Sequence, residues 1–339
     1  MRLFRFTCWA FAIWVSSGFP ASAGRQASTL TAKPVTTVAG HHVKSLRITV
    51  LSTMLAGDNS HGDVGEWGFA ALVEVDARRL LFDTGAKPDT VLENARQLGI
   101  DLSDVTELII SHNHADHVGG LLTLRRELAK RNPSALSRAH VPAGIFQPRV
   151  NAAGSPSNGL LAIKDAYEAS GGAFVTHEAP VEIVAGVWLT GPVPRPNPER
   201  NYDATIRLQA PSGLVTDSVP EDASLVIDSE RGLIVLTGCG HAGIINIVEY
   251  ARKIVTSGRI LAVVGGLHMF GATETELAWT AEKLRGQGLA YLLGAHCTGI
   301  EAVYRIRQLA GLDRQSAVVA AVGSSFDLTS GIDPRALAR

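Results

Sequence analysis

The chain has 339 residues, enough for one large α/β domain or two ordinary ones, and its 46% hydrophobic content can fill a buried core. Lys and Arg total 31 against 32 Asp and Glu, so no long-range field draws the protein to nucleic acid or to an anionic membrane. The expected partner is a small molecule, and nothing in these numbers fixes an oligomeric state.

At the N-terminus Arg2 and Arg5 precede an apolar stretch from Phe6 to Phe19, followed by Ala21-Ser22-Ala23. A basic segment, a short apolar segment and a small-x-small site read as a signal peptide over residues 1–23, cut after Ala23, with export to the periplasm or medium. The alternative is a membrane anchor, against which stands an apolar run shorter than the roughly 20 residues needed to span a bilayer. No other segment is long and apolar enough for stable membrane insertion. Cys8 leaves with the signal, and the remaining Cys239 and Cys297 are too few for a disulfide scaffold. They can form one bond, but each lies within two residues of a histidine, which makes a place beside a metal the competing reading.

Residues 24–43 lack apolar periodicity and read as a flexible leader, with the folded domain expected over 44–328 and a tail over 329–339. Strands are predicted at 46–51, 70–75, 79–83 and 107–111, where the runs are short, apolar and β-branched. Helical patterns occupy 88–98 and 120–131, the first with Pro88 at its start. From 132 to 220 the chain is rich in Pro, Gly, Ser and Asn, and loops with ragged strands are expected. A hairpin follows at 224–237, turning near Glu230 to Gly232, then helix 244–255, strand 259–266, helix 274–288, strand 290–296, helix 299–311 and strand 317–323. Strands before helices, repeated in both halves, predict an α/β fold of two stacked sheets with helices outside, a four-layer αββα sandwich.

The segment that carries chemistry is ELIISHNHADHVGGL, residues 107–121, where an apolar strand runs into His112-x-His114-x-Asp116-His117 and a glycine pair. Three imidazoles and a carboxylate within six residues form a metal-ligand set, and a tight loop at a strand end lets them converge. His112 and His114 can share one ion while Asp116 and His117 turn toward a second. His241, His268 and His296 each follow an apolar strand and sit near glycine, so all three should emerge at one edge of the sheet. His41, His42, His61, His140 and His177 have no such context and are read as surface or loop residues.

This segment resembles the signature of the metallo-β-lactamase superfamily. Within it the chain is similar to the group named for 7,8-dihydropterin-6-yl-methyl-4-(β-D-ribofuranosyl)aminobenzene 5'-phosphate synthase. The resemblance spans roughly 46–325. It rests on LLFDTG at 80–85, Asn94, SHNHADHVGGL at 111–121, LTGCGHAGIINI at 236–247, VVGGLHM at 263–269 and AHCTG at 295–299. The chain departs from the group at Glu66-Trp67-Gly68, where a histidine usually precedes the glycine, and in its long polar middle. Both departures fall where substrate is chosen.

The resemblance implies that His241 completes the first metal site and His296 the second. It also implies that Asp83 supports the histidine loop through hydrogen bonds rather than by binding metal. Cys239 stands where many members carry an aspartate that touches the metals, so it is either a thiolate ligand or a buried structural cysteine. His268 is read as a residue that orients a ligand or touches substrate. The expected cofactor is a pair of divalent ions, zinc first, with manganese or iron as alternatives. The expected activity is a binuclear metal-dependent hydrolase acting on an ester, lactone, amide or phosphoester of a small molecule, with Asp116 catalytic. The alternative is a transferase-like condensation of the kind for which the group is named.

The N-terminal reading has a direct test. Sequencing of the exported protein should return Gly24 as the first residue, and recovery of Met1 would refute cleavage.

Overall fold

The computed structural model describes residues 41–57, 62–255 and 258–335, and elements are numbered in chain order. The signal reading, most of the leader reading and His61 lie outside the described residues. The first sheet has the order β18-β17-β1-β2-β3-β4-β5-β7. Its members are β1 (Leu46–Ser52), β2 (Ala70–Val75), β3 (Arg78–Phe82), β4 (Glu107–Ile109), β5 (Arg138–Pro142), β7 (Ala173–His177), β17 (Ser325–Asp327) and β18 (Gly331–Asp333). The second has the order β16-β15-β14-β13-β12-β9-β8. It contains β8 (Val181–Val184), β9 (Val187–Leu189), β12 (Ser224–Ser229), β13 (Gly232–Thr237), β14 (Ile260–Gly265), β15 (Tyr291–Gly294) and β16 (Ala317–Val319). A small ribbon of β6 (Arg149–Val150), β10 (Arg207–Ala210) and β11 (Gly213–Thr216) stands apart.

The helices are α1 (Thr90–Gln97), α2 (Ala115–Val118), α3 (Leu121–Ala129), α4 (Gly159–Ala169), α5 (Ile244–Ile254), α6 (Glu274–Gly286) and α7 (Ile300–Ala310). Three apolar layers explain why these elements stack as they do. Ile48, Val73, Phe82, Ile109, Leu225, Ile234, Leu236 and Val264 fill the space between the sheets. Leu72, Leu81 and Leu108 turn the other way and pack on Val91, Leu121, Leu124, Leu160 and Tyr167 from α1, α3 and α4. Val235, Val263 and Leu292 do the same against Ile247, Leu284 and Val303 from α5, α6 and α7. Strands covered on both faces read as unbroken apolar runs, and the result is the αββα sandwich.

Both sheets place parallel strands side by side, β3-β4-β5-β7 in one and β13-β14-β15-β16 in the other. Parallel strands leave their carboxyl ends at a common edge, where loops can carry ligand-binding side chains. Among the described residues no helix is long and apolar enough to cross a membrane.

The structure corrects two expectations and adds detail at both ends of the domain. The segment 132–220 holds β5, inside the first sheet, β7 at that sheet's edge, and the 11-residue α4. That helix buries only Leu160 and Tyr167 and so has no apolar stripe to read; Asn158 caps it, accepting from Leu161 N at 2.8 Å. Within the segment read as a tail, Gly331–Asp333 forms β18 and pairs with β17 through Phe326 and Ile332. At the other end, ordered pairing begins at Val43, whose N–H donates to Asp228 O at 2.8 Å. Finally, His140 and His177 are buried and stacked, with ring centroids 5.2 Å apart, and Glu107 lies 2.8 Å from His140 Nε2. Their strands pair side by side, which sequence separation conceals.

Leu236 sits fully buried between the sheets, one turn of chain below the site described next. Leu236→Ala should cost about 2–5 kcal/mol, as large-to-small core changes do, read as a lowered denaturant midpoint with an unchanged slope. A loss under about 1 kcal/mol would show that the two sheets do not depend on this layer.

Candidate metal centre

The five loops that leave the parallel strand ends meet at one edge. Loops after β3 and β4 bring Asp83 and the segment 111–118, and those after β13, β14 and β15 bring Cys239 with His241, His268, and His296 with Cys297. Asp83, His268 and His296 adopt left-handed backbone with φ of 55°, 51° and 47°. Such conformations cost of order 1–3 kcal/mol each and persist where surrounding bonds over-determine them.

For Asp83 those bonds are visible. Its Oδ1 accepts from Ser111 N at 2.8 Å and its Oδ2 from Ser111 Oγ at 2.7 Å, while His117 Nδ1 lies 2.7 Å from Oδ2. Its backbone N–H donates to Ile109 O at 2.9 Å. Asp83 therefore aims the His117 ring and leaves its Nε2 facing inward, 3.1 Å from Cys239 Sγ. The loop after it is anchored by the buried Glu66, which accepts from Ser52 Oγ at 2.7 Å, Ala86 N at 2.9 Å and Lys87 N at 3.0 Å. Asn94 ties α1 to the same region by donating to Leu51 O and Val64 O.

The imidazoles form two groups. His114 Nδ1 lies 3.1 Å from His112 Nε2 and 3.2 Å from His241 Nε2, so three rings face one point. On the other side Asp116 Oδ2 lies 3.2 Å from His296 Nε2 and 4.0 Å from His117 Nε2. The Cys239 sulfur stands between the groups, gathered with His112 and His241 on one side and with His117 and His296 on the other, each set of donor atoms within 4.8 Å. The His268 ring packs against His241 at a tilt of 49°, with centroids 4.5 Å apart, and stays partly open to the cavity beside it.

Electrostatics reflect this crowding of buried bases. Burial depresses His114 to about 4 and holds His112 and His241 well below the ordinary imidazole value, with neighbouring rings adding to the effect on all three. Burial acts the same way on His117, but the carboxylates of Asp83 and Asp116 outweigh it and raise that ring to about 9. Against its own burial, Asp116 is held far below the usual carboxylate range by His117 and His296. Burial also raises the Cys239 thiol.

Two cavities flank the centre. One of 520 Å³ is lined by His114, Asp116, Asn158, Asp203 and Asp217; the other, of 440 Å³, by Asn201, Tyr202, His268, Phe270 and Trp279. Trp67 stands half exposed at the rim, edge-on to His296 at 5.0 Å and to Phe270 at 5.6 Å. Sequence reasoning singled out the Glu66-Trp67 departure but not this contact.

It also missed the buried support behind the centre. Arg149, fully enclosed, pairs with Asp217 at 2.7 Å and with Glu221, and Glu221 accepts from Asn113 of the histidine motif. Glu199, raised to about 7 by burial, caps α5 through Ile245 N and Asn246 N. The neighbouring Asn201 carbonyl meets His241 Nδ1. No local spacing links residues so far apart in sequence.

The donor chemistry fits divalent ions. Ring nitrogens of His112, His114 and His241 point at one another, and both ring nitrogens of the fully buried His296 lack a well-aligned hydrogen bond. Buried polar groups are ordinarily satisfied, so convergent unsatisfied nitrogens beside a carboxylate and a thiol form a coordination set.

The family model described as the metallo-beta-lactamase superfamily matches residues 68–255. The chain is 30% identical over 268 residues to the 7,8-dihydropterin-6-methyl-4-(beta-D-ribofuranosyl)-aminobenzene-5'-phosphate synthase of Methanocaldococcus jannaschii, covering 77% of this chain and 90% of that protein. It is also 30% identical over 244 residues to an uncharacterized protein of the same organism, covering 71% of this chain and 88% of the relative. Among solved structures it is similar to Tm1679, described as a metal-dependent hydrolase of the beta-lactamase superfamily, with 28% identity, a TM-score of 0.67, and coverage of 83% of this chain and 98% of that one. The chain belongs to the metallo-beta-lactamase superfamily.

Proposed function

We propose that the protein is a hydrolase of small molecules that works with two divalent ions, zinc first among them. In this reading His112, His114 and His241 hold one ion, Asp116, His117 and His296 the other, and Cys239 lies within reach of both. The observation that carries it is the meeting of Asp116 with five inward-facing imidazoles between two open cavities. Ions held there supply Lewis acidity, polarising a carbonyl or phosphoryl oxygen and lowering the pKa of water from about 15.7 toward 7.

The chain's own residues do the rest. Asp116, kept ionised by His117 and His296, accepts a hydrogen bond from the attacking water and orients it toward substrate. Asp83 fixes the His117 ring, and the Asn201 carbonyl fixes that of His241, so the reacting groups start in place. His268, at the cavity wall, meets the substrate's polar group, while Trp67 and Phe270 shield the mouth. With the N-terminal segment read as an export signal, the expected place of this chemistry is the periplasm or medium.

A second reading, a condensation, is favoured by the name of the 30% identical relative. The two part in a screen of metal-loaded protein against esters, lactones, β-lactams and phosphodiesters. Hydrolysis that disappears with metal removal and falls at least about 100-fold in Asp116→Asn supports the first. Absence of any hydrolysis, with product formed from a pterin and an aminobenzene ribosyl phosphate, supports the second.

Metal content gives an independent check. About two ions per chain are expected, dropping sharply in His114→Ala and in His296→Ala; unchanged content in both variants contradicts the ligand assignment.

Protons should compete with metal. His117 in the metal-free protein is raised to about 9, so at pH 7 it carries a proton that ligation must expel. Affinity should therefore rise between pH 7 and 9, and calorimetry in buffers of different ionisation enthalpy should report proton release at pH 7. Binding without proton release would remove His117 from the ligand set.

A further inference from the structure

Behind the histidine centre lies a buried thiol, Cys297, that its chemistry does not use, beside Cys239 and His268, which that centre also reaches. Cys297 is 1% exposed and free of any disulfide, and its sulfur lies 3.7 Å from Cys239 O. The sulfurs of Cys239 and Cys297 and a ring nitrogen of His268 all lie within 4.8 Å of one another. His268 Nδ1 is buried without a hydrogen-bond partner.

The fold holds these three together from several sides. Met269 N and Phe270 N both donate to Cys297 O, at 3.0 and 3.2 Å, and Leu267 N donates to Thr298 Oγ1 at 3.0 Å. The loop bearing His268 is thus laced to the turn bearing Cys297. Gly266 permits the approach: a Cβ there would stand 2.3 Å from Gly238 O, 2.9 Å from Cys297 Sγ and 3.2 Å from Cys239 Cα. His268 in turn lines the 440 Å³ cavity, which gives the group a way to solvent.

We propose that Cys239, Cys297 and His268 form a separate soft-donor site for one thiophilic metal ion, with Cu⁺ the ion its ligands suit best, sharing the Cys239 sulfur with the histidine centre. An ion about 2.3 Å from each sulfur sets the two sulfurs ~4 Å apart, which is within the span observed. Two thiolates and an imidazole select soft ions over the hard or borderline ions that the carboxylate and histidine set accepts. On binding, the thiol protons pass to solvent and no electron changes hands. Cys239 Sγ also lies 3.1 Å from His117 Nε2, so the sulfur held by this site is one that the neighbouring centre also reaches.

The test titrates the zinc-loaded protein anaerobically with Cu⁺ and reads each metal at its own X-ray absorption edge. One copper per chain should be taken up with the zinc retained, with two sulfur neighbours and one nitrogen at copper. Cys297→Ser should weaken copper binding at least tenfold and leave a single sulfur at any copper that remains, with zinc content unchanged. Copper that displaces zinc one for one, that shows no sulfur, or that binds Cys297→Ser as well as the parent overturns the proposal. The wild-type sulfur count decides the matter even where the variant folds poorly. Zinc content other than two per chain overturns the two-ion reading instead, and leaves the copper result standing.

Discussion

The carboxylate of Asp83 is the joint on which the centre is built. It closes β3, takes both hydrogen bonds that Ser111 can offer at the end of β4, and meets His117 across the loop. One buried charge thereby fixes the spacing of two strand ends and the tilt of a ring. A carboxylate with no exposed surface is costly unless several donors satisfy it, and here three do. Removing it would orphan Ser111 and let His117 turn, so the geometry on both sides of Cys239 depends on a residue that need not touch a metal.

Around that joint the protein concentrates features that folding alone would avoid. Three residues hold left-handed backbone, at least five imidazoles share a small volume, and two thiols lie buried without a bond between them. The layers beneath offset these costs. Leucine, isoleucine and valine fill both faces of each sheet, so the strand ends form a rigid rim to which strained loops are fastened. The Arg149 network extends the same support into the middle segment, tying β6 to Glu221 and through Asn113 to the histidine motif.

How much of this was legible in the sequence follows from what each residue depends on. The αββα architecture and the convergent histidines could be read because apolar runs and short motifs are local patterns, repeated at strand ends. The helix α4 could not, since it buries too few side chains to show a period. His140 and His177 looked like surface residues because each is isolated in sequence; only the pairing of β5 with β7 stacks them. Arg149, Glu221 and Glu199 act through partners dozens of residues away, and no window along the chain contains both ends of such a contact. Trp67 was noticed as a departure from the family pattern, yet its place over His296 required the fold.

One feature of the first sheet bears on how the molecule is made. Strand β1 lies between β2 and β17, with Arg47 opposite Asp327 and Thr49 opposite Ser325. The earliest strand of the domain therefore waits for one of the last before its second edge is covered. During synthesis β2 is available at once, but β17 leaves the ribosome only after nearly the whole domain has been made. Until then β1 presents open backbone groups to any other nascent chain, the condition under which unfinished sheets aggregate. Closure of that long loop is slow by its topology. A chaperone that shields residues 46–52 during this interval would protect the one seam of the sandwich that translation leaves open longest.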